Sequence, residues 1–125
     1  MHHITVIQNQ EVLNIIAEIT TNNREIKNSL YGAKTPIISA PKNSFHAEQL
    51  DVGIMSQTIL SEATDLELNS IVMTRIVPAL KEERLVNILN LPNSYIPFVG
   101  IAIGNTDDKS IKSRKYHDDN VTYIL

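Results

Sequence analysis

The chain of 125 residues is 42% hydrophobic, enough for the core of one domain, and its formal net charge of −3 gives no general attraction to nucleic acid or to an anionic membrane. It has no cysteine and no tryptophan, and its aromatic residues are four tyrosines and two phenylalanines. Disulfides, thiolate catalysis and Cys-ligated metals are thereby excluded, and a base-stacking surface is disfavoured. No apolar run reaches the length of a membrane span, and Met1-His2-His3 opens neither a charged nor an apolar leader region. The expectation is a cytoplasmic protein without nucleic-acid or membrane partners.

Ile4-Thr5-Val6-Ile7 is β-branched throughout and reads as a strand covered on both faces. Asn9 is the expected N-cap of a helix from Gln10, with Glu11 against its N-terminal dipole. Val12, Ile15, Ile16 and Ile19 share one face of that helix, which should fade in the weak helix formers Thr20-Thr21-Asn22-Asn23. Arg24 to Tyr31 has no clear pattern. Gly32 breaks the chain before a strand over Thr35 to Ala40, where Pro36 marks a strand start or an edge. Ser44 is a candidate cap for a helix over Phe45 to Leu66, roughly 33 Å long at 1.5 Å per residue. Leu50 and Ile54 lie on one side of it, and Val52, Met55, Ile59, Ala63 and Leu66 on another. Two apolar faces on one helix of so short a chain predict a homodimer built on it.

Asn69 to Thr74 predicts a short strand, Pro78 a short helix, and Leu85, Ile88 and Leu89 one face of a helix over Lys81 to Leu89. Leu91-Pro92-Asn93 ends that helix. Ile96 to Gly104 reads as a covered strand, and Asn105-Thr106-Asp107-Asp108 as a turn into a polar tail. The order β-α-β-α-β-α-β places the single domain, residues 1–125, in the mixed α+β class. Within the tail, Lys112 and Arg114 stand two residues apart. In extended chain they share a face at about 6–7 Å, a spacing that grips one phosphate. The plain reading of the same pair is a solvated basic tail balanced by Asp107, Asp108, Asp118 and Asp119. His2, His3, His46 and His117 lack metal-ligand spacing, so no metal is expected. No serine sits in a nucleophile elbow, and no catalytic side chain is assigned.

Several segments, taken in order, resemble the FMN-dependent nitroreductase family. His3 to Ile7 with Gln8-Asn9-Gln10-Glu11 resembles its "w.ftVv.n.e" passage, and Tyr31-Gly32-Ala33-Lys34-Thr35-Pro36-Ile37-Ile38 its "yGAP.li" strand, with Lys34 in place of proline. Asp51 to Leu60 is similar to the long dimer-interface helix "d.G.a.qnmlLaA". Asp65-Leu66-Glu67-Leu68-Asn69-Ser70 is similar to "sLGLgS", with Glu67 where glycine is common, and Leu89-Asn90-Leu91-Pro92-Asn93-Ser94-Tyr95 to "LglPegy". Ile96 to Gly104 followed by Lys112-Ser113-Arg114 resembles the final strand and its K-x-R pair.

The resemblance implies a three-layer α+β sandwich. It also implies an FMN-dependent enzyme that uses NAD(P)H to reduce a small-molecule acceptor such as a nitro, quinone or enone compound, with FMN at a homodimer interface. It assigns the flavin phosphate to Lys112 and Arg114, and hydrogen bonds at the flavin N5 edge to backbone N–H groups at Thr74 and Arg75; an ordinary core strand ending in a surface arginine is the plain reading of that segment. The family's N-terminal Arg/Ser-rich helix and "PS..N.Q" segment match nothing in the chain, so the resemblance implies an N-terminally truncated domain. Two alternatives follow: a non-catalytic dimerising fragment, and a subunit completed by another chain.

Overall fold

The first strand, expected to be buried on both faces, lies at the edge of a sheet instead. The structure, a computed structural model, describes residues 2–24, 28–42, 46–107 and 121–125. Its elements run β1 (His2–Val6), α1 (Gln10–Arg24), β2 (Thr35–Pro41), α2 (His46–Asp65), β3 (Asn69–Met73), α3 (Val77–Leu80), α4 (Glu83–Leu89) and β4 (Val99–Gly104). The four strands form one sheet in the order β1-β2-β4-β3, every pair antiparallel. Helices α1, α3 and α4 pack together over one face, and α2 lies against strands β2, β3 and β4. This is the three-layer α+β sandwich expected from the sequence.

Asn9 caps α1 as anticipated: its Oδ1 accepts from the N–H groups of Glu11 at 2.9 Å and Val12 at 3.2 Å. The helix does not fade at Thr20. The Thr20 hydroxyl donates to the Ile16 carbonyl at 2.7 Å, so a residue with low helix propensity is buried without an unmet polar group. Ile16 and Thr20 are the deepest described residues of this helix, followed by Leu13. In β1, by contrast, Ile4 and Val6 are 46% and 57% exposed, whereas Ile7 joins the core. A β-branched run records strand preference but not which faces will be covered.

The interior strands β2 and β4 alternate between two apolar layers. Ile38 and Ala102 join the cluster containing Ile16, Ile76, Leu80 and Leu85, while Ile37 and Ile103 line the space beneath α2. Pro36 is the second residue of β2, so it marks a strand start and not an edge. Gly100 is tightly enclosed: a Cβ there would lie 2.8 Å from Ile76 Cδ1 and 3.2 Å from Ile38 Cδ1. Before Val99 the ladder slips by one residue. Ser39 pairs with Val99, yet its carbonyl accepts from the Phe98 N–H at 3.0 Å, and the Pro41 carbonyl accepts from Ile96 at 3.2 Å. This bulge leaves the buried Pro97, which has no N–H, between two donating neighbours.

Helix α2 buries Val52, Ser56 and Ala63 against the sheet and half-buries Met55 and Ile59. Leu50 and Ile54 are 67% and 61% exposed on its outer side. The helix ends in a Schellman arrangement: Leu68 N–H donates to Ala63 O at 2.8 Å, and Glu67 N–H to Thr64 O at 3.0 Å. Glu67 occupies the left-handed position at φ 58°, where the resembling family has glycine. The short helix expected at Pro78 is α3, which ends at Leu80, and the helix expected over Lys81 to Leu89 is α4, which begins only at Glu83, after the extended Glu82 (ψ 141°). Leu85 and Leu89 are buried, but Ile88, expected on the same face, is 42% exposed: the buried stripe of this short helix is narrower than the apolar spacing suggests.

Candidate functional site

Among the described residues strand β3 pairs with β4 on one side only, and two clefts open along it. At its far end the chain turns sharply, with the Val77 N–H donating to the Thr74 carbonyl at 3.1 Å. Thr74 and Arg75 therefore project from a turn between β3 and α3, and both are exposed. The buried side chain of Ile76 pins this turn to the core. Thr74 and Arg75 share a cleft of about 240 Å³ with Asn28, Ser29 and Tyr31.

The second cleft, about 770 Å³, lies where β2 and β3 begin and β4 ends, and its lining includes Lys34, Asn69, Asn105 and Thr106. Tyr31 borders both clefts, and the pair, the β3 groove, lies in series from the Thr74–Arg75 turn to the end of β4. Five residues of β3 give that groove a length of roughly 17 Å. Among the described residues lining it, the charged ones are Lys34 and Arg75, and none is acidic. Such a lining favours an anionic ligand.

The segment beside the groove is conformationally unusual. Asn28, Tyr31 and Gly32 all have positive φ, at 53°, 54° and 72°. Asparagine and glycine adopt this region readily, but a tyrosine there is strained. The Ser29 hydroxyl is buried without a hydrogen-bond partner among the described residues. Sequence reasoning left this stretch unassigned, because neither left-handed backbone nor an unmet hydroxyl leaves a periodic signal. The Asn-Ser and Tyr-Gly pairs were its one turn-like cue.

Of the expected site residues, Thr74 and Arg75 stand together at one end of the groove. Lys112 and Arg114 lie outside the described residues, which resume the chain beyond β4 only at Val121. His2 faces Asp51 across 3.8 Å, and His3 packs edge-on to Tyr95. Among the described residues no group of histidines and carboxylates is placed to hold a metal ion. No described helix is long and apolar enough to cross a membrane.

No family model matches the sequence, and no curated protein gives a significant match. Solved structures do match. A nitroreductase with bound FMN from Desulfitobacterium hafniense superposes with a TM-score of 0.83 at 19% identity, covering 99% of this chain and 76% of its own. A nitroreductase with bound FMN from Bacteroides fragilis gives 0.84 at 15% identity, with the same two coverages of 99% and 76%. An NADPH:FMN oxidoreductase from Vibrio harveyi, complexed with NAD+, gives 0.67 at 17% identity, covering 99% of this chain and 61% of its own. The strand order, the long α2 and the turn after β3 thus belong to a known architecture: the chain has the fold of the FMN-bound nitroreductases.

Proposed function

We propose that this chain is an FMN-dependent oxidoreductase of nitroreductase type, using NAD(P)H to reduce a nitro, quinone or enone acceptor in the cytoplasm. The observation that carries this reading is the groove along β3. It is elongated, bears cations without carboxylates among its described lining, and sits in a fold whose solved neighbours bind FMN. In this reading the Thr74–Arg75 turn offers backbone N–H groups to the flavin ring, and Lys112 with Arg114 holds the phosphate. Bound FMN supplies the hydride chemistry. The protein orients the ring through the turn, which Ile76 holds against the core. Homodimerisation through α2 is part of the same reading, because Leu50 and Ile54 leave its outer face apolar.

The exposure of Ile71 and Val72 on the outer strand favours a second reading. There, another chain covers this edge and completes the site.

Titration with FMN and riboflavin separates the possibilities. The phosphate makes charge-assisted hydrogen bonds worth about 1.5–3 kcal/mol each. Arg114→Ala should therefore weaken FMN binding by roughly ten- to a hundredfold and affect riboflavin much less. Equal binding of both flavins by variant and wild type would remove the phosphate assignment. Failure of the wild type to quench FMN fluorescence would remove the enzyme reading of the isolated chain.

A further inference from the structure

We propose that the apolar shelf beside α2 is the seat of an amphipathic helix from another polypeptide, one that carries lysine or arginine along one edge of its apolar stripe. The shelf is a half-filled layer. Ile4 pairs with Ser39 and Val6 with Ile37, and paired residues of antiparallel strands point to the same side of the sheet. That side is the one α2 covers, since Ile37 and Ile103 line the space beneath this helix. Among the described residues α2 is the one helix on this side, whereas α1, α3 and α4 fill the other. It lies over β2, β4 and β3 and leaves Ile4 and Val6 of β1 46% and 57% exposed. A pocket of about 370 Å³ marks where the shelf meets the helix, with Ile37, Ile59, Leu66, Leu68 and Ile103 in its lining.

The vacancy has the width of a helix. Strands β1, β2 and β4 are neighbours, two strand spacings or roughly 10 Å across, and a helix with its side chains measures about 10–12 Å. Charge selects the occupant. Helix α2 carries four carboxylates and no lysine or arginine. At about 100° per residue, Glu48, Asp51, Glu62 and Asp65 all fall within one arc of roughly 100°. Two contacts show that this arc borders the shelf: Asp51 Oδ2 lies 3.8 Å from His2 Nε2 on β1, and Glu62 lines the pocket. Leu50 and Ile54 belong to the outer side of the helix and not to this flank. An apolar floor with a carboxylate rim is complementary to an amphipathic helix with a basic edge. A second copy's α2 would bring the same carboxylates against these, and an anionic lipid surface would be repelled in the same way. The flavin reading plays no part in this site.

The probe is a fluorescein-labelled helical peptide of about 18 residues with a leucine stripe and lysines along one edge of it. Two controls accompany it: the same peptide with glutamate for lysine, and the lysine peptide scrambled so that charge is kept and the stripe is lost. Fluorescence anisotropy on the full chain, without FMN, should show saturable binding at least about tenfold tighter than either control. The preference over the glutamate peptide should shrink as salt is added. Ile4→Ser combined with Val6→Ser changes two exposed side chains of an edge strand, and should weaken binding at least about tenfold with the circular dichroism spectrum unchanged. Glu62→Gln with Asp65→Asn should reduce the preference for lysine over glutamate at least about threefold. Ile54→Ser, on the outer side, should leave binding as it is. Equal affinity for the intact and scrambled peptides, or unchanged binding in the Ile4/Val6 variant, would overturn the proposal. So would binding that appears only after residues 108–125 are removed, which makes the chain's own tail the occupant. A wild-type dimer dissolved by the Ile4/Val6 changes would make the occupant a second copy and overturn it equally. Because no flavin is present, the outcome is separate from that of the FMN titration.

Discussion

Gly100 is the position where one added methyl should say most about the core. A Cβ at this residue would stand 2.8 Å from Ile76 Cδ1, 3.2 Å from Ile38 Cδ1 and 3.4 Å from Met73 Cε. Ile76 and Ile38 are fully buried, so neither methyl can swing into solvent. Overpacking of this kind costs about 1–3 kcal/mol. The glycine is not in the left-handed region, so alanine also restricts the unfolded chain and returns about 0.4–1 kcal/mol. Gly100→Ala should therefore destabilise by roughly 1–2 kcal/mol net. Ile76→Val deletes the nearest methyl and alone should cost about 0.5–1.5 kcal/mol.

Combined, the two changes should cost at least about 1 kcal/mol less than their sum, because the new Cβ fills the space the methyl leaves. Urea unfolding of the four proteins, at constant m-value, measures this coupling. Additivity to within about 0.5 kcal/mol would show that the Ile76 methyl does not limit the space at Gly100, and the packing argument would be wrong.

Glu67→Gly should stabilise the protein by about 1 kcal/mol, since a non-glycine residue holds the left-handed position at the end of α2 (φ 58°); no rise in the denaturation midpoint would refute this. Ile54→Glu alters a side chain that is 61% exposed in the single chain, so the fold should survive, while light scattering should report a monomer where the proposed dimer is expected for the wild type. A wild type that is monomeric at micromolar concentration would remove the dimer proposal.

Much of the fold was legible because local chemistry and tertiary structure agree. Asn9 reads as a cap in the sequence and is one in the structure. Of the run from Ile96 to Gly104 that reads as a covered strand, Val99 to Ala102 are buried in β4, whereas Ile96 and Phe98 precede the strand and are exposed. The errors arise where the outcome depends on a distant partner. Ile4 and Val6 look like interior strand residues, but nothing local records that β1 pairs on one edge only. Thr20 looks like a helix end, yet a bond to the Ile16 carbonyl and burial against the core carry α1 onward. Ile88 shares the spacing of Leu85 and Leu89, but how wide a stripe of α4 is covered depends on its neighbours and not on the spacing.

The site divides along the same line. Thr74 and Arg75 are expected through the resemblance, and the structure sets them on the turn after β3. The left-handed Asn28 and Tyr31 beside them have no counterpart in the sequence reading, because the sign of a backbone angle leaves no periodic pattern.

The strand order has a consequence for how the molecule assembles during synthesis. Strand β4 emerges last of the four yet sits inside the sheet, between β2 and β3. Until it leaves the ribosome, β1 and β2 can pair, but β3 has no strand to pair with at all. A nascent chain halted before Val99 therefore carries an unpaired β3 bearing Ile71 and Val72, together with the bare face of β2. Such edges seek partners in other chains. Ordering of the Thr74–Arg75 turn, anchored by an Ile76 that packs against Gly100, therefore waits on the final strand.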